Sequence, residues 1–328
     1  VMMNHSLKNQ FNVKPGTLIE GKWHHNQYRI IKELGFGANG IVYLAQFRNQ
    51  SVALKMSDNG MSITSEVNVL KSFAKVQGSA LGPSLLDVDD WQQRGGQISF
   101  YVMEYIQGPD LLTYIQQNGR VWVEVLILQL LNDLHTLHQN GWVFGDLKPD
   151  NLIVTGPPAR IRCIDVGGTT IQGRAIKEFT EFFDRGYWGL GSRKADPSYD
   201  LFAVAMILIN ISYPKRFNKT SGDLKQLEVM IKGKDELKKY EGTLIHALKG
   251  NFSSAKEMRT AMLQFNQPHP NHKTRPPQRT QTQTRQSNKS VSRQTYTKKK
   301  KRSGLFETTL IFIIISLLYM FYIYGQLT

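Results

Sequence analysis

A chain of 328 residues with one cysteine, Cys163, holds no intramolecular disulfide, so its fold rests on burying a core and fits a reducing, cytosolic setting. Cys163 lies in the apolar run IRCIDV and reads as a small core residue rather than a nucleophile. Clusters of Cys and His at metal-ligand spacing are also missing. His135 and His138, on an apolar helical pattern, have no such partner and read as ordinary surface or core histidines. The opening VMMNHSLKNQFNVKPG has no apolar run with a small-residue cleavage site, which excludes an export signal there. Acid is absent from residues 267 to 304, which contain eleven Lys or Arg. That segment holds +11 of the net +15, so the remainder is nearly neutral and the basicity belongs to a linker. Long apolar runs are scarce too: twenty residues with a single charge occur at Leu305 to Tyr324.

What the chain does have is 41% hydrophobic content, enough for one two-lobed domain or two small ones. YRIIKELGFGANGIVYLAQF sets two β-rich runs about Gly35, Gly37 and Gly40. Glycines at that spacing let backbone approach phosphate oxygens where a Cβ would clash. A strand rather than a helix follows, which favours a hairpin flap over ATP against a dinucleotide turn, with Val42 lidding the base. In SVALKM, Lys55 shares an otherwise apolar strand with Ala53 and is expected to hold the α- and β-phosphates, positioned by Glu66 from the helical pattern ITSEVNVLKSF. The short interval requires a compact turn, and Ser65 capping that helix is the alternative. After a turn at LGPSLLDVDD, the strands QISFYVMEYI lead to Gln107-Gly108-Pro109, the joint between lobes. Met103 would border the adenine, and the backbone of Glu104 to Ile106 would meet its edge.

The stretch GWVFGDLKPDNLIV places Asp146, Lys148 and Asn151 on a short loop before a buried strand. Phosphoryl transfer needs a carboxylate for the acceptor proton, a cation for the γ-phosphate and an oxygen for a magnesium ion. Asp165, ending the strand IRCID before Val166-Gly167, supplies a second oxygen for the metal.

In this order the residues resemble a eukaryotic-type (Hanks-type) serine/threonine protein kinase over residues 25 to 265. The resemblance implies an α+β two-lobed protein-kinase fold, a small β-rich lobe and a larger helical one. Asp146 would be the catalytic base, Lys148 would steady the transferring group, Asn151 and Asp165 would hold Mg2+ or Mn2+, and Lys55 with Glu66 would form the activating ion pair. Asp-x-Lys-Pro-x-Asn indicates a Ser/Thr acceptor rather than Tyr. Three departures stand out: Phe144-Gly145-Asp146 for His-Arg-Asp, Asp165-Val166-Gly167 for Asp-Phe-Gly, and RGYW, Arg185 to Trp188, near the place of Ala-Pro-Glu. Phe144 can fill the apolar slot of the histidine. The missing arginine removes the usual cation for an activation-loop phosphate, which implies control from elsewhere. Thr180 is the candidate threonine facing the acceptor loop. Phe-Gly-Asp also resembles the aminoglycoside-type kinases, which lack the Lys-Pro and carry long helical insertions absent here.

The remaining divisions follow composition: a polar lead at 1–24, a basic disordered linker at 266–304, a transmembrane helix at 305–324 and a short external tail at 325–328. Lys298 to Arg302 before the span leave the kinase cytoplasmic and the C-terminus external in a single-pass cell-membrane protein with no outer sensor domain. The dispersed cations within 267–302 suit DNA or anionic-lipid phosphates. This plan is similar to that of membrane-anchored kinases of spore-forming bacilli, which implies DNA-responsive activity. Protein substrates and ATP are the other expected partners, and whether a homodimer orders Thr169 to Leu190 stays open. The competing reading is a membrane-tethered DNA-binding scaffold with a pseudokinase domain.

Overall fold

A computed structural model describes residues 13–37, 40–75, 81–93, 96–220 and 224–264. The chain divides into two units, Val1–Pro270 and Asn271–Thr328. The linker expected at 266–304 and the span expected at 305–324 lie outside the described residues. Among the described residues, no helix is long and apolar enough to cross a membrane.

The small lobe is one antiparallel sheet of six strands, β1 (Leu18–Glu20), β2 (Gln27–Gly37), β3 (Gly40–Phe47), β4 (Gln50–Ser57), β5 (Leu85–Gln93) and β6 (Gly96–Glu104), in the order β1-β2-β3-β4-β6-β5. Successive side chains in a strand point to opposite faces. Ile30, Ile41, Tyr43, Val52, Leu54, Phe100 and Val102 therefore pack one fully apolar face. The alternate residues Ala53, Tyr101 and Met103 turn the other way and join the core that holds helix α1 (Gly60–Lys75). Lys55 belongs to that second face by register, directly opposite Tyr101. β1 lies within the polar lead, yet Ile19 is fully buried in the sheet core, because one apolar residue at the inward phase suffices to seat a three-residue strand.

Two local expectations are corrected. The stretch LGPSLLDVDD is mostly strand: β5 starts at Leu85, and its pairing with β6 consumes the polar Asp87, Asp89 and Asp90 as edge positions. Ser65 does not cap α1. Asn59 does, its Oδ1 accepting from Met61 N and Ser62 N, because the compact connection Asp58-Asn59 starts the helix six residues before Glu66.

The large lobe is helical: α2 (Leu111–Asn118), α3 (Val121–Gln139), α4 (Pro197–Ser212), α5 (Leu224–Lys232), α6 (Asp235–Lys238), α7 (Glu241–Leu248) and α8 (Ala255–Gln264). α4 is buried from Tyr199 to Ser212, so its sequence is apolar all round instead of in one stripe. Pro197 at its first turn and Asp196 accepting from Ser198 N fix where it starts. Two short ribbons lie between α3 and α4. β8 (Leu152–Thr155) pairs with β9 (Arg160–Cys163), and β7 (Trp142–Val143) pairs with β10 (Thr170–Ile171). They hold the loops 144–151 and 164–169 side by side under the sheet.

Candidate active site

A cleft of about 400 Å³ lies under the sheet. Its lining includes Gly35, Gly37, Gly40, Val42, Ala53, Lys55, Met103, Glu104 and Ile106, together with Asn151 and Asp165 from below. Size and chemistry suit one nucleotide: apolar walls at one end and convergent polar groups at the other. Gly40 takes φ +128°, and a Cβ there would sit 2.0 Å from Met56 O, so only glycine allows β3 to run this close to β4. At the joint, Glu104 N donates to Ser84 O (2.8 Å), while the Glu104 carboxylate binds Arg162 Nη1 at 2.5 Å and Nη2 at 2.9 Å. The Arg162 hydrogen bond holds the Glu104 carboxyl below the usual glutamate range.

Lys55 Nζ donates to Glu66 Oε2 at 2.6 Å, and both side chains are buried. Such a pair repays desolvation only if its remaining lone pairs are occupied. Tyr101 O–H donates to the same Glu66 Oε2 at 2.7 Å, and Ser62 Oγ reaches Oε1 at 3.4 Å. Burial, then the neighbouring Glu66 carboxylate, push the Tyr101 phenol well above its usual range, so it stays a donor. Tyr101 escaped the sequence reading, although its place opposite Lys55 follows once β4 and β6 are put in register.

At the lower edge Lys148 Nζ contacts Asp146 Oδ2 at 2.5 Å and Thr180 Oγ1 at 3.2 Å, and Thr180 O–H donates to Asp146 Oδ1 at 2.9 Å. The three side chains form a closed set in which a hydroxyl already sits on the Asp146 carboxylate. Asn151 Nδ2 donates to Asp146 O (3.2 Å), which turns the Asn151 Oδ1 away from its own loop. Asp165 Oδ1 accepts from Gly167 N at 3.0 Å.

The loop carrying Asp146 is pinned from α4. Asp200, fully buried, accepts from Phe144 N (2.8 Å) and Gly145 N (2.9 Å) and meets His138 Nε2 at 2.8 Å. Nothing in the sequence around Asp200 marks it as the anchor of a loop 55 residues away. His138 is buried beside it, a core histidine holding that anchor. Phe144 is fully buried and Val166 nearly so, in the same core as Leu70 and Phe73 of α1, and this apolar column ties α1 to both lower loops. Gly145 takes φ +87°, and a Cβ there would meet Gly168 O at 2.5 Å. The backbone arrangement therefore excludes a side chain at that position.

RGYW, near the place where Ala-Pro-Glu is missing, sits in a polar knot. Arg185 Nη2 binds Asp196 at 2.6 Å, and Asp184 accepts from Arg193 Nη2 at 2.6 Å and from Tyr199 O–H at 2.8 Å. Trp188 is fully buried, its Nε1 donating to Phe182 O.

The protein kinase domain family matches residues 28–292 of the chain. Serine/threonine-protein kinase YabT of Bacillus subtilis is 54% identical to it, over 98% of each chain. Two kinases of Schizosaccharomyces pombe are more distant. Serine/threonine-protein kinase ppk31 is 30% identical over 43% of this chain and 14% of its own length, and serine/threonine-protein kinase cds1 is 28% identical over 41% and 31%.

Proposed function

Because the chain belongs to the protein kinase family, and within it is a serine/threonine protein kinase, we propose that it moves the γ-phosphoryl group of ATP to Ser or Thr hydroxyls of cytosolic proteins and of itself. The observation that carries the assignment of roles is the closed set of Asp146, Lys148 and Thr180 at the mouth of the cleft that Lys55, Asn151 and Asp165 line. A substrate hydroxyl takes its place against Asp146, which accepts the proton as the oxygen attacks phosphorus. Lys148 sits between base and acceptor and offsets charge on the transferring group. Lys55, held by Glu66, meets the α- and β-phosphates, and the glycine flap closes over them. Met103 and the backbone from Glu104 to Ile106 border the adenine, whose donor contact falls to Ile106 because Glu104 N–H is spent on Ser84.

The donor set also fits a hard divalent cation. Asn151 Oδ1, turned away by its amide's bond to Asp146 O, and Asp165 are oxygen ligands on the same cleft. Bound there, Mg2+ or Mn2+ would neutralise phosphate charge and fix the phosphates' orientation.

Residues 266–304 are proposed as a basic linker and 305–324 as the membrane anchor, leaving residues 25–265 on the cytoplasmic side. Support comes from the eleven cations without an acid, the twenty largely apolar residues with a single charge at 305–324, and the likeness to YabT along the whole length. Phosphates of DNA or of anionic lipid are the proposed ligands of the linker. The test is transfer from radiolabelled ATP to a basic protein followed by phosphoamino-acid analysis. Label is expected on phosphoserine and phosphothreonine, and Lys55→Ala should lower it by 100-fold or more, on the order of the loss of an electrostatic clamp. Label on phosphotyrosine, or full transfer by Lys55→Ala, would contradict the assignment.

A further inference from the structure

A second groove, of about 520 Å³, opens on the large lobe, and none of the residues that line it lines the nucleotide cleft. One wall is α3, which contributes Val125, Leu128, Gln129, Asn132 and Asp133. Steps of three and four residues put all five on one face of the helix. The connection from β8 to β9 adds Pro158, Ala159 and Arg160, and α8 adds Arg259.

The walls are fixed by the chain itself. Gln129 clamps the β8–β9 connection to α3: its Nε2 donates to Ala159 O and its Oε1 accepts from Ile161 N, both at 3.2 Å. α8 is seated by Met258 and Met262, which are fully buried in the core. The groove is therefore formed before anything enters it, as binding sites commonly are. Its apolar lining is left partly open, with Val125 43% exposed and Leu128 half-buried.

Charge decides what can fill it. Arg160 and Arg259 both border the groove, and among the described residues neither guanidinium makes a hydrogen bond or an ion pair; Arg259 Nε is buried without an acceptor. A buried donor left unmade is a standing cost that an arriving acceptor removes. The one acid of the lining is Asp133. Burial raises its carboxyl above the usual range, and the charge of Arg160 offsets this in part without closing to an ion pair. Two guanidiniums against one carboxylate leave the groove cationic even when Asp133 is ionised.

An occupant must bring an anion and some apolar surface. A phosphate monoester carries about −1.5 to −2 charge and three acceptor oxygens, which answers two guanidiniums better than a single carboxylate does. Serine/threonine kinase chemistry places that group on proteins. We infer that the groove is a docking site for a phosphoserine or phosphothreonine segment of a protein, its phosphate held by Arg160 and Arg259 and a neighbouring apolar side chain laid on Val125 and Leu128. A protein phosphorylated once is then retained for a second transfer in preference to its unmodified form. The inference is independent of the roles assigned within the nucleotide cleft.

The test uses the full-length protein in detergent at physiological salt, which screens exposed cations outside the groove. Binding of a short, leucine-containing peptide with one phosphothreonine is read by fluorescence anisotropy beside its unphosphorylated twin. The phosphopeptide is expected to bind roughly 10-fold or more tightly than the twin, and Arg160→Gln and Arg259→Gln should each remove about that factor, the scale of a lost hydrogen bond to a charged group. Val125→Ser should weaken binding by a smaller factor. Arg160 and Val125 are exposed, so their variants keep the fold, and melting temperature and basal transfer to the unphosphorylated peptide should match the parent. Lys148→Ala, at the acceptor end of the cleft, should leave phosphopeptide binding intact. Equal affinity for the two peptides would overturn the inference. Unchanged affinity in both arginine variants would move the binding to the linker, and its loss in Lys148→Ala would move it to the catalytic cleft; either result overturns the inference as well. Displacement of the phosphopeptide by an equal concentration of inorganic phosphate would reduce the groove to a bare anion site and overturn the docking of a segment.

Discussion

Asp200 shows how much of this site depends on one residue away from the reacting atoms. Its two carboxylate oxygens satisfy the buried amides of Phe144 and Gly145, and a third contact goes to His138. Asp200→Ala leaves both N–H groups buried and unpaired, at about 1–3 kcal/mol each. The expected outcome is a melting temperature lowered by several degrees, on the scale of about 2–4 °C per kcal/mol for a domain this size, together with loss of transfer even below the melt. Chemical denaturation and an activity assay on the same sample check both. At this scale the sequence was partly legible. Lys55, Glu66, Asp146, Lys148, Asn151 and Asp165 stand out because their chemistry contrasts with apolar neighbours, and the structure brings each of them to the cleft or its mouth. Tyr101 and Asp200 do not stand out. Tyr101 reads as one more strand aromatic and Asp200 as a helix-start acid, because the partner that gives each its meaning is remote in the chain.

Elements were legible where a period ran long enough to name them. β4 and β6 follow from alternation, α3 from apolar content, and the compact start of α1 from the short interval between Lys55 and Glu66. β1 and β5 were not, since a single inward residue, Ile19, defines the first and a run of acids on an edge strand masks the second. α3 also carries an unexplained cost. Asp133 is buried on it with a long 3.5 Å contact from Asn132, and burial raises its carboxyl above the usual range, against a smaller opposing effect of Arg160. A carboxyl that binds its proton more tightly folded than unfolded stabilises the fold at low pH and loses that contribution as pH rises through its folded value. Asp133→Asn should therefore raise the melting temperature at pH 7 and lose that advantage as pH falls below the ordinary carboxylate range. A pH series of thermal melts reads the difference directly. A variant no more stable than the parent at pH 7 would show that Asp133 is better solvated than its burial implies.

For the whole molecule, composition separates a nearly neutral folded part from a cationic tail, and that division bears on how the enzyme is controlled. Gly145 leaves no room for an arginine, so the usual arginine partner for a phosphate on the segment near Thr180 is missing at that position. Control through the tail is the proposal consistent with both facts. Deleting residues 267–304 is expected to abolish salt-sensitive binding of DNA or anionic vesicles and to leave basal transfer unchanged. Retention of that binding in a salt titration would remove the tail from the account. Phosphoryl transfer itself turns on the carboxylate of Asp146. The most direct measurement is the single-turnover rate of phosphoryl transfer by Asp146→Asn beside the parent enzyme, with nucleotide affinity measured in parallel. Loss of a positioned base predicts a rate lower by about 10²- to 10⁴-fold at unchanged nucleotide affinity. A parent-like rate in that variant would contradict the assignment of Asp146 as the catalytic base.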